Sequence, residues 1–325
     1  MAYTLFDYAQ LAPSNLVRGV IDVFRRESFV MDHLSFPPTK GLQETVTRTA
    51  GLPAVGFRKI GETFGQSKAT FEPVSERVFD LGGFIDVDKM LVKADPSQMA
   101  VHTDAFVTAI SYEFNDYFVN GDPTVDIDGF TGLWYRLQNF LPTRQTILGG
   151  GIDVSPDSAG LAAAFNLLLD GIDSVISVLD GHMATLFLVN RTLWLRLNSG
   201  LRQLNLFAQD VDQYGRSVMR FGTGGPWIYD LGTQADQATE IIGNSELVDG
   251  SALTGGTPGT DGHTSLYAMR TGGNYLSGMQ LYGIDVNKIG LLESGVAYRT
   301  VIDWPVGIKH VNPRAIARLV GVEAA

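Results

Sequence analysis

The feature that most constrains this chain is a long extended segment, residues 54–87, which has no apolar face of its own to bury in a core. Apolar and polar side chains alternate over residues 68–72, and glycines punctuate a reversal between Gly61 and Gly65, so two strands joined as a hairpin are predicted. An isolated two-stranded hairpin is only marginally stable in water. The hairpin must therefore lie on another surface, and a neighbouring copy of the chain is the obvious candidate. The pattern favours a self-assembling structural subunit over an enzyme.

The same segment supplies the candidate contacts between copies. They are charged or aromatic side chains within it: Arg58, Lys59, Lys68, Phe71 and Glu72. We expect charged contacts of this kind to set the register between copies more than their affinity.

The composition fits a protein with much of its surface covered by partners, and a large monomer can have the same composition. Its 325 residues can bury a substantial core. Charged residues make up only 18% of the chain, below the roughly 25% usual for globular domains. The formal net charge of -11 argues against a chain-wide nucleic-acid binder. The basic residues near the end of the chain are expected to form ordinary solvated or ion-paired surface: Lys309, His310, Arg314 and Arg318.

The chain contains no cysteine, which excludes disulfides, thiolate nucleophiles and cysteine-ligated metals. Its first residues show no basic segment followed by an apolar core, so no signal peptide is expected. The most apolar runs, such as residues 184–189, are far shorter than the roughly 20 residues that cross a bilayer. We therefore expect no membrane partner.

The strongest helix signal covers residues 95–119. Asp95 is a good N-cap, and Pro96 follows at the first helical position, where its missing N–H costs nothing. Apolar residues then recur on one face of the helix: Phe106, Ile110, Phe114, Tyr117 and Phe118.

The rest of the chain has a mixed α/β pattern. Helices are predicted over residues 158–169 and 191–201, and a turn over residues 305–307. A glycine-rich loop over residues 249–263 is predicted to be exposed. Strands are predicted over residues 184–189, 216–221, 227–229, 265–269 and 297–304.

No motif for catalysis stands out. The sequence has no Walker-type phosphate loop, no HExxH helix and no GxSxG elbow, and its histidines are scattered. We therefore predict no catalytic residue, no metal ligand and no cofactor. Pairs of unmarked carboxylates keep a carbohydrate-active hydrolase open as an alternative.

The order of these parts resembles the major capsid proteins of tailed bacteriophages, which have the Hong Kong 97 type fold. An N-terminal arm, an extended hairpin, a long spine helix, an α/β domain and a returning C-terminal strand follow one another. The sequence also resembles that family in several segments: residues 68–76 and 81–88, 120–122 and 130–133, 303–307, and 313–321.

The resemblance implies an α+β fold with four parts. They are an N-terminal arm (1–50), an extended hairpin loop (51–87), a peripheral domain with the spine helix (88–144 and 291–325) and an axial α/β domain (145–290). It implies hexamers and pentamers that close into an icosahedral shell around double-stranded DNA, bound without sequence specificity. A separate scaffolding protein and a portal would be partners, and the protein would lie in the virion capsid after assembly in the host cytoplasm.

Two other structural roles stay open beside the hydrolase. An encapsulin-like nanocompartment keeps the same fold but encloses a protein cargo. A tail-tube subunit would form rings or tubes instead of closed shells.

Overall fold

The computed structural model describes residues 15–324, apart from residues 157, 159, 204–206, 212–216, 223 and 250–261. The glycine-rich loop predicted over 249–263 therefore lies almost wholly outside the described residues, as does the start of the N-terminal arm. The described helices are α1 (Asn15–Glu27), α2 (Phe29–His33), α3 (Lys89–Ala94), α4 (Gln98–Asn120), α5 (Leu133–Asn139), α6 (Leu161–Val178) and α7 (Arg191–Gln203).

The described strands form three sheets. They are β1 (Gln43–Gly51), β2 (Thr70–Arg77), β3 (Phe79–Asp88), β4 (Thr146–Asp153), β5 (Leu186–Val189), β6 (Phe207–Val211), β7 (Ser217–Phe221), β8 (Trp227–Asp230), β9 (His263–Met269), β10 (Leu276–Gln280), β11 (Asp285–Leu291), β12 (Ala297–His310) and β13 (Ile316–Glu323). Strands β1 and β2 pair only with each other. Strand β12 pairs with β3 on one side and with β11 and β10 on the other, and a seven-stranded sheet has the order β4-β13-β9-β5-β8-β7-β6.

Helix α4 is the predicted spine helix, and it begins three residues later than its predicted N-cap. The Asp95 carboxylate accepts hydrogen bonds from the backbone N–H and the hydroxyl of Ser97, so it closes a turn ahead of the helix. The apolar stripe is buried as predicted at Ile110, Phe114 and Phe118. It faces the four-stranded sheet, where the Phe114 ring lies 5.6 Å from that of Trp304 on β12.

The turn predicted over residues 305–307 is wrong, because β12 continues to His310. The Pro305 carbonyl accepts a hydrogen bond from the backbone N–H of Leu281, which lies between β10 and β11. The N and O of one residue in an antiparallel strand point to the same side, so the Pro305 nitrogen also faces this side and not β3. A missing N–H there removes no bond of the ladder to β3. Gly307 is needed for packing, since a Cβ at this position would lie 2.4 Å from the carbonyl oxygen of Arg77.

Helix α6 runs nine residues beyond its predicted end at residue 169, through Gly171. Gly171 is tolerated because it lets the helix approach β13, where a Cβ would lie 3.2 Å from the Leu319 side chain. By length and composition alone α6 could cross a membrane, a test that core helices of soluble proteins also pass. One of its faces packs on the seven-stranded sheet.

The seven-stranded sheet separates two apolar cores. On β9, Leu266 and Ala268 pack with α6 and α7, whereas Tyr267 and Met269 face the core that contains the spine helix. Strand β5 alternates in the same way, so both strands are covered on both faces. This explains why β5 is continuously apolar, and why β9 is apolar from Leu266 to Met269.

The sheets cut across the predicted domain bounds. Strand β13 lies inside the seven-stranded sheet although residues 291–325 were assigned to the peripheral part. Strands β10 and β11 join β12 and β3 although residues 145–290 were assigned to the axial part. Strand β1 begins at Gln43, within the segment assigned to the arm. The division into domains stays a prediction.

Candidate assembly surface

The predicted hairpin is formed by β1, β2 and the segment between them, residues 43–77. Its strands lie further apart in sequence than the alternation predicted, and residues 52–69, here called the hairpin loop, join them without strand structure. Large apolar side chains on the loop are uncovered: Leu52, Val55, Phe57, Ile60 and Phe64. Phe57 is as exposed as in an extended chain, at 110%. Such a concentration of apolar side chains in water marks a contact surface.

The hairpin loop makes contacts mainly with itself. Its reversal is a tight turn in which Glu62 N donates to the Lys59 carbonyl, with Gly61 at a φ of +92°. The Arg58 guanidinium donates to the Glu62 carbonyl and lies over the Phe64 ring, 5.3 Å from its centroid. The loop is therefore locally folded but not packed on the body of its own copy.

The five residues predicted to contact a neighbour all lie on this hairpin, and all are exposed. Arg58, Lys59 and Lys68 belong to the loop, and Phe71 and Glu72 to β2, where they face Thr49 and Arg48 of β1. Their role between copies stays a prediction.

A buried charge cluster, which sequence reasoning missed, anchors the root of the hairpin. Glu76 on β2 accepts two hydrogen bonds from Arg136 on α5, at 2.6 and 2.8 Å, and lies 3.3 Å from Arg48 on β1. Arg48 also donates to the backbone carbonyl of His310 at the end of β12. We call Arg48, Glu76, Arg136 and His310 the root cluster, and each is less than 8% exposed. It fixes the hairpin to the body of the subunit.

The expectation that the C-terminal basic residues form ordinary surface is wrong for two of them. His310 and Arg318 are both 1% exposed. Arg318 is paired with Glu246 at 2.7 Å and stacks beside the Tyr267 ring. The alternation of strands β12 and β13 places these side chains inward, and only the pairing of the strands reveals their partners.

The electrostatics of the root cluster depend on a neutral histidine. Burial holds the pKa of His310 well below its ordinary value, and the neighbouring charges of Arg136 and Arg48 lower it further. Nδ1 of His310 lies 3.3 Å from Nη2 of Arg48, and Nε2 has no hydrogen-bond partner among the described residues. Protonation would place a third cation beside the single carboxylate of Glu76.

This arrangement predicts an acid-sensitive subunit. The unfolded chain binds a proton on His310 with a pKa of roughly 6.5, whereas the folded chain resists it, so unfolding takes up a proton below that pH. The stability that comes from keeping His310 neutral is therefore fully present above pH 6.5. Below that pH the free energy of unfolding falls by at most about 1.4 kcal/mol per pH unit. We expect the free energy of unfolding to fall more for wild type than for His310→Gln when the pH is lowered from 7 to 5. Urea unfolding of unassembled subunits measures it, and parallel pH curves for the two proteins would contradict it.

No group of three or more His, Asp or Glu side chains in the described part of the chain is placed to hold a metal ion.

Comparison with known proteins gives one family match. Residues 14–159 match the family model "Major capsid protein GP7". That stretch contains the hairpin, strand β3 and the spine helix. No curated protein sequence matches the chain.

Solved shells have the same fold. The SrpI encapsulin of Synechococcus elongatus PCC 7942 has a TM-score of 0.59 at 12% identity, over 91% of this chain and 88% of the encapsulin. The capsid of a native GTA particle has a TM-score of 0.56 at 11% identity, over 91% and 90%. A chain from Mycobacterium phage Bobi has a TM-score of 0.56 at 11% identity, over 92% and 91%.

These findings confirm the predicted Hong Kong 97 type fold, with its mixture of helices and sheets. The match of residues 14–159 to the major capsid protein model confirms the resemblance to phage major capsid proteins that the order of elements indicated. The same match supports a structural role for the chain in preference to an enzymatic one.

Proposed function

We propose that this capsid shell protein assembles as hexamers and pentamers into a closed icosahedral shell that encloses double-stranded DNA. The observation that carries the proposal is the hairpin loop, whose apolar side chains are uncovered in the single copy. Stable interfaces generally bury upwards of about 1,000 Å². The loop can contribute a large part of such an area only when it lies on a neighbour. The proposed location is the virion capsid, after assembly in the host cytoplasm.

The partners follow from this role. A separate scaffolding protein and a portal would act with the subunit during assembly, and DNA would be enclosed without sequence-specific contacts. The net charge of -11 supports weak interaction between the shell and the DNA it holds. In this arrangement residues 145–290 lie mostly around the capsomer centre, and the spine helix lies at the periphery.

Removing the hairpin loop tests the proposal. We expect a variant with residues 53–68 replaced by a short Gly-Ser linker to fold normally, because the exposed loop adds little to the core of its own copy. Assembly should be lost, leaving monomers or small oligomers by analytical ultracentrifugation. Closed particles of this variant, seen by electron microscopy, would show that the loop is not the contact between copies, and outright unfolding would show that the loop belongs to the core of its own copy.

Point variants separate the apolar surface from the length of the loop. Phe57→Ser, Ile60→Ser and Phe64→Ser together should prevent assembly while leaving the loop its full length. The matched control is Thr63→Ala with Gln66→Ala, which changes two exposed polar side chains of the same loop. The control should assemble like wild type.

An encapsulin-like shell is the second candidate, favoured by the fold similarity to the SrpI encapsulin. Purified particles distinguish the two functions. A capsid should protect long double-stranded DNA from nuclease, whereas a nanocompartment should hold a single protein cargo and no DNA. A chain that stays a compact monomer in size-exclusion chromatography would instead favour the hydrolase alternative.

A further inference from the structure

A cavity of about 460 Å³ lies beside the C-terminal half of the spine helix, away from the hairpin and its root cluster. It is lined by α4, the following residues 121–126, α5, residues 241–246 and β9. Its volume lies within the range of roughly 300–1,000 Å³ that is usual for small-molecule sites. Because separate elements of one folded subunit form the lining, the cavity needs no second copy to complete it.

The walls of the cavity are largely apolar. Val119, Ile241 and Ile242 line it and belong to the apolar core that contains the spine helix, each at most 3% exposed. Trp134 adds a half-buried aromatic ring, and Val125 adds an exposed side chain. Walls of this kind suit the hydrocarbon part of a ligand.

The polar part of the lining is acidic. No described lysine or arginine lines the cavity. Five carboxylates do: Glu113, Asp116, Asp122, Asp126 and Glu246. Glu246 forms an ion pair with Arg318 at 2.7 Å. The other four form no ion pair with any described residue, so most of the negative charge is not neutralised by the subunit.

Glu113 is the carboxylate for which the subunit provides least. It has no hydrogen-bond or ion-pair partner among the described residues. Burial raises the pKa of Glu113, and the charges of Asp116 and Asp126 raise it further. A cation beside Glu113 would relieve this repulsion.

A buried tyrosine is a second, independent sign of a ligand. Tyr267 on β9 lines the cavity although it is only 1% exposed. Burial raises the pKa of its hydroxyl, which therefore stays a neutral O–H. This hydroxyl forms no hydrogen bond with any described residue. Since a buried tyrosine O–H ordinarily has a partner, the Tyr267 hydroxyl is left for a molecule in the cavity.

The lining favours an organic cation over a metal ion. The described residues include no group of acidic or histidine side chains placed to hold a metal, and a bare metal ion would make no use of the apolar walls. A single ammonium group would leave several carboxylates unpaired. A molecule with two or more ammonium groups joined by methylenes matches both the charge and the walls.

We propose that this cavity binds an aliphatic polyamine. Its ammonium groups donate hydrogen bonds to Glu113, to the neighbouring aspartates and to the oxygen of Tyr267. Its methylenes pack against Val119 and Ile241. The inference concerns the single subunit and does not depend on the proposed shell function.

Equilibrium dialysis of the chain against spermidine tests the proposal. The measurement is made in about 0.15 M salt, where the attraction of exposed charges is largely screened. We expect saturable binding of one spermidine per chain. Butylamine, which has a single ammonium group, should bind at least about tenfold more weakly, because it forms fewer charge-assisted hydrogen bonds. Absence of saturable spermidine binding would overturn the inference, and so would equal affinity for butylamine.

Tyr267→Phe separates a ligand site from a structural role. Without added ligand this variant should unfold in urea like wild type, because the hydroxyl that it removes has no described partner. Its affinity for spermidine should fall about five- to tenfold. A variant that is clearly less stable than wild type would show that the subunit itself uses the hydroxyl, and would contradict the inference.

Glu113→Gln tests the charge in the same cavity and keeps the proposal testable if Tyr267→Phe does not fold. It should retain wild-type stability and bind spermidine at least about tenfold more weakly. Glu293→Gln, which removes an exposed carboxylate outside the cavity, is the matched control and should bind like wild type. Wild-type affinity in the Glu113→Gln variant would place the bound spermidine elsewhere on the acidic surface and overturn the inference.

Discussion

Glu76→Gln is expected to lower the free energy of unfolding of the unassembled subunit by about 3–5 kcal/mol, the usual cost of breaking a buried ion pair by removing one partner. The substitution leaves Arg48 and Arg136 buried, at 6% and 3% exposure, without the carboxylate that both contact. Burial already lowers the pKa of Arg48, with the charge of Arg136 acting in the same direction and Glu76 opposing it. The remaining cations would repel each other in a poorly solvated place. Urea unfolding followed by circular dichroism measures the loss.

Glu72→Gln is the matched control for this prediction. Glu72 lies on the same strand and is paired with Arg48 in the ladder, but it is exposed. Its substitution should change stability by no more than about 0.5 kcal/mol, as for most surface changes. A Glu76→Gln variant as stable as the Glu72→Gln variant would show that the root cluster is solvated.

The root cluster does more for the position of the hairpin than for net stability. A buried ion pair contributes little compared with apolar residues of the same volume, because both charges lose their water. What it specifies is register. A slip of one residue between β1 and β2 would turn Arg48 to the outer face and leave Glu76 and Arg136 without it. The cluster therefore determines where the exposed loop is held relative to the body of the subunit.

The spine helix was predictable because its signal is local. Phe106, Ile110, Phe114 and Phe118 are spaced by four residues, so a single window of sequence shows the buried face. The strand β5 follows equally from its short apolar run within residues 184–189. Such features require no knowledge of what packs against them.

The root cluster was not predictable because its partners are distant in sequence. Arg48 and Glu76 are separated by 28 positions, Glu76 and Arg136 by 60, and Arg48 and His310 by 262. Only the pairing of β1 with β2 and the approach of β12 bring them together. The prediction of a turn at Pro305 was wrong for a related reason. Proline ends a strand only where its missing N–H would have donated a hydrogen bond to a neighbouring strand. That depends on the neighbouring strands.

The hairpin falls between these cases. Its existence followed from the alternation and the glycines, but the strands were placed within residues 54–87, whereas the structure has them at Gln43–Gly51 and Thr70–Arg77. Strand structure requires a paired strand for its backbone groups, and residues 52–69 pair with no strand within one copy. Their side chains belong to a surface that a second copy completes under the proposed function.

The core beneath the spine helix gives the other large expected effect, that of Ile110→Asp. Ile110 is 6% exposed and lies one turn from Phe114, whose ring packs against Phe36, Phe130 and Trp304. A carboxylate at this position would be buried among apolar side chains without a partner, at a cost of several kcal/mol. Since single domains are stable by only about 5–15 kcal/mol, we expect most of the variant to be insoluble or unfolded.

Two variants of the same helix separate burial from helix propensity. Ile110→Val removes one methylene and should cost about 0.5–1.5 kcal/mol. His102→Asp places the same carboxylate on an exposed position of the helix and should leave the melting temperature nearly unchanged. Wild type and His102→Asp should have the highest melting temperatures, Ile110→Val a slightly lower one and Ile110→Asp by far the lowest.

If Ile110→Asp melted at the same temperature as wild type, this face of the spine helix would lie against water and the fold of the subunit around it would be wrong. Because the sheet on which the helix packs continues through β12 to His310, a lost spine helix should also release the hairpin and abolish assembly.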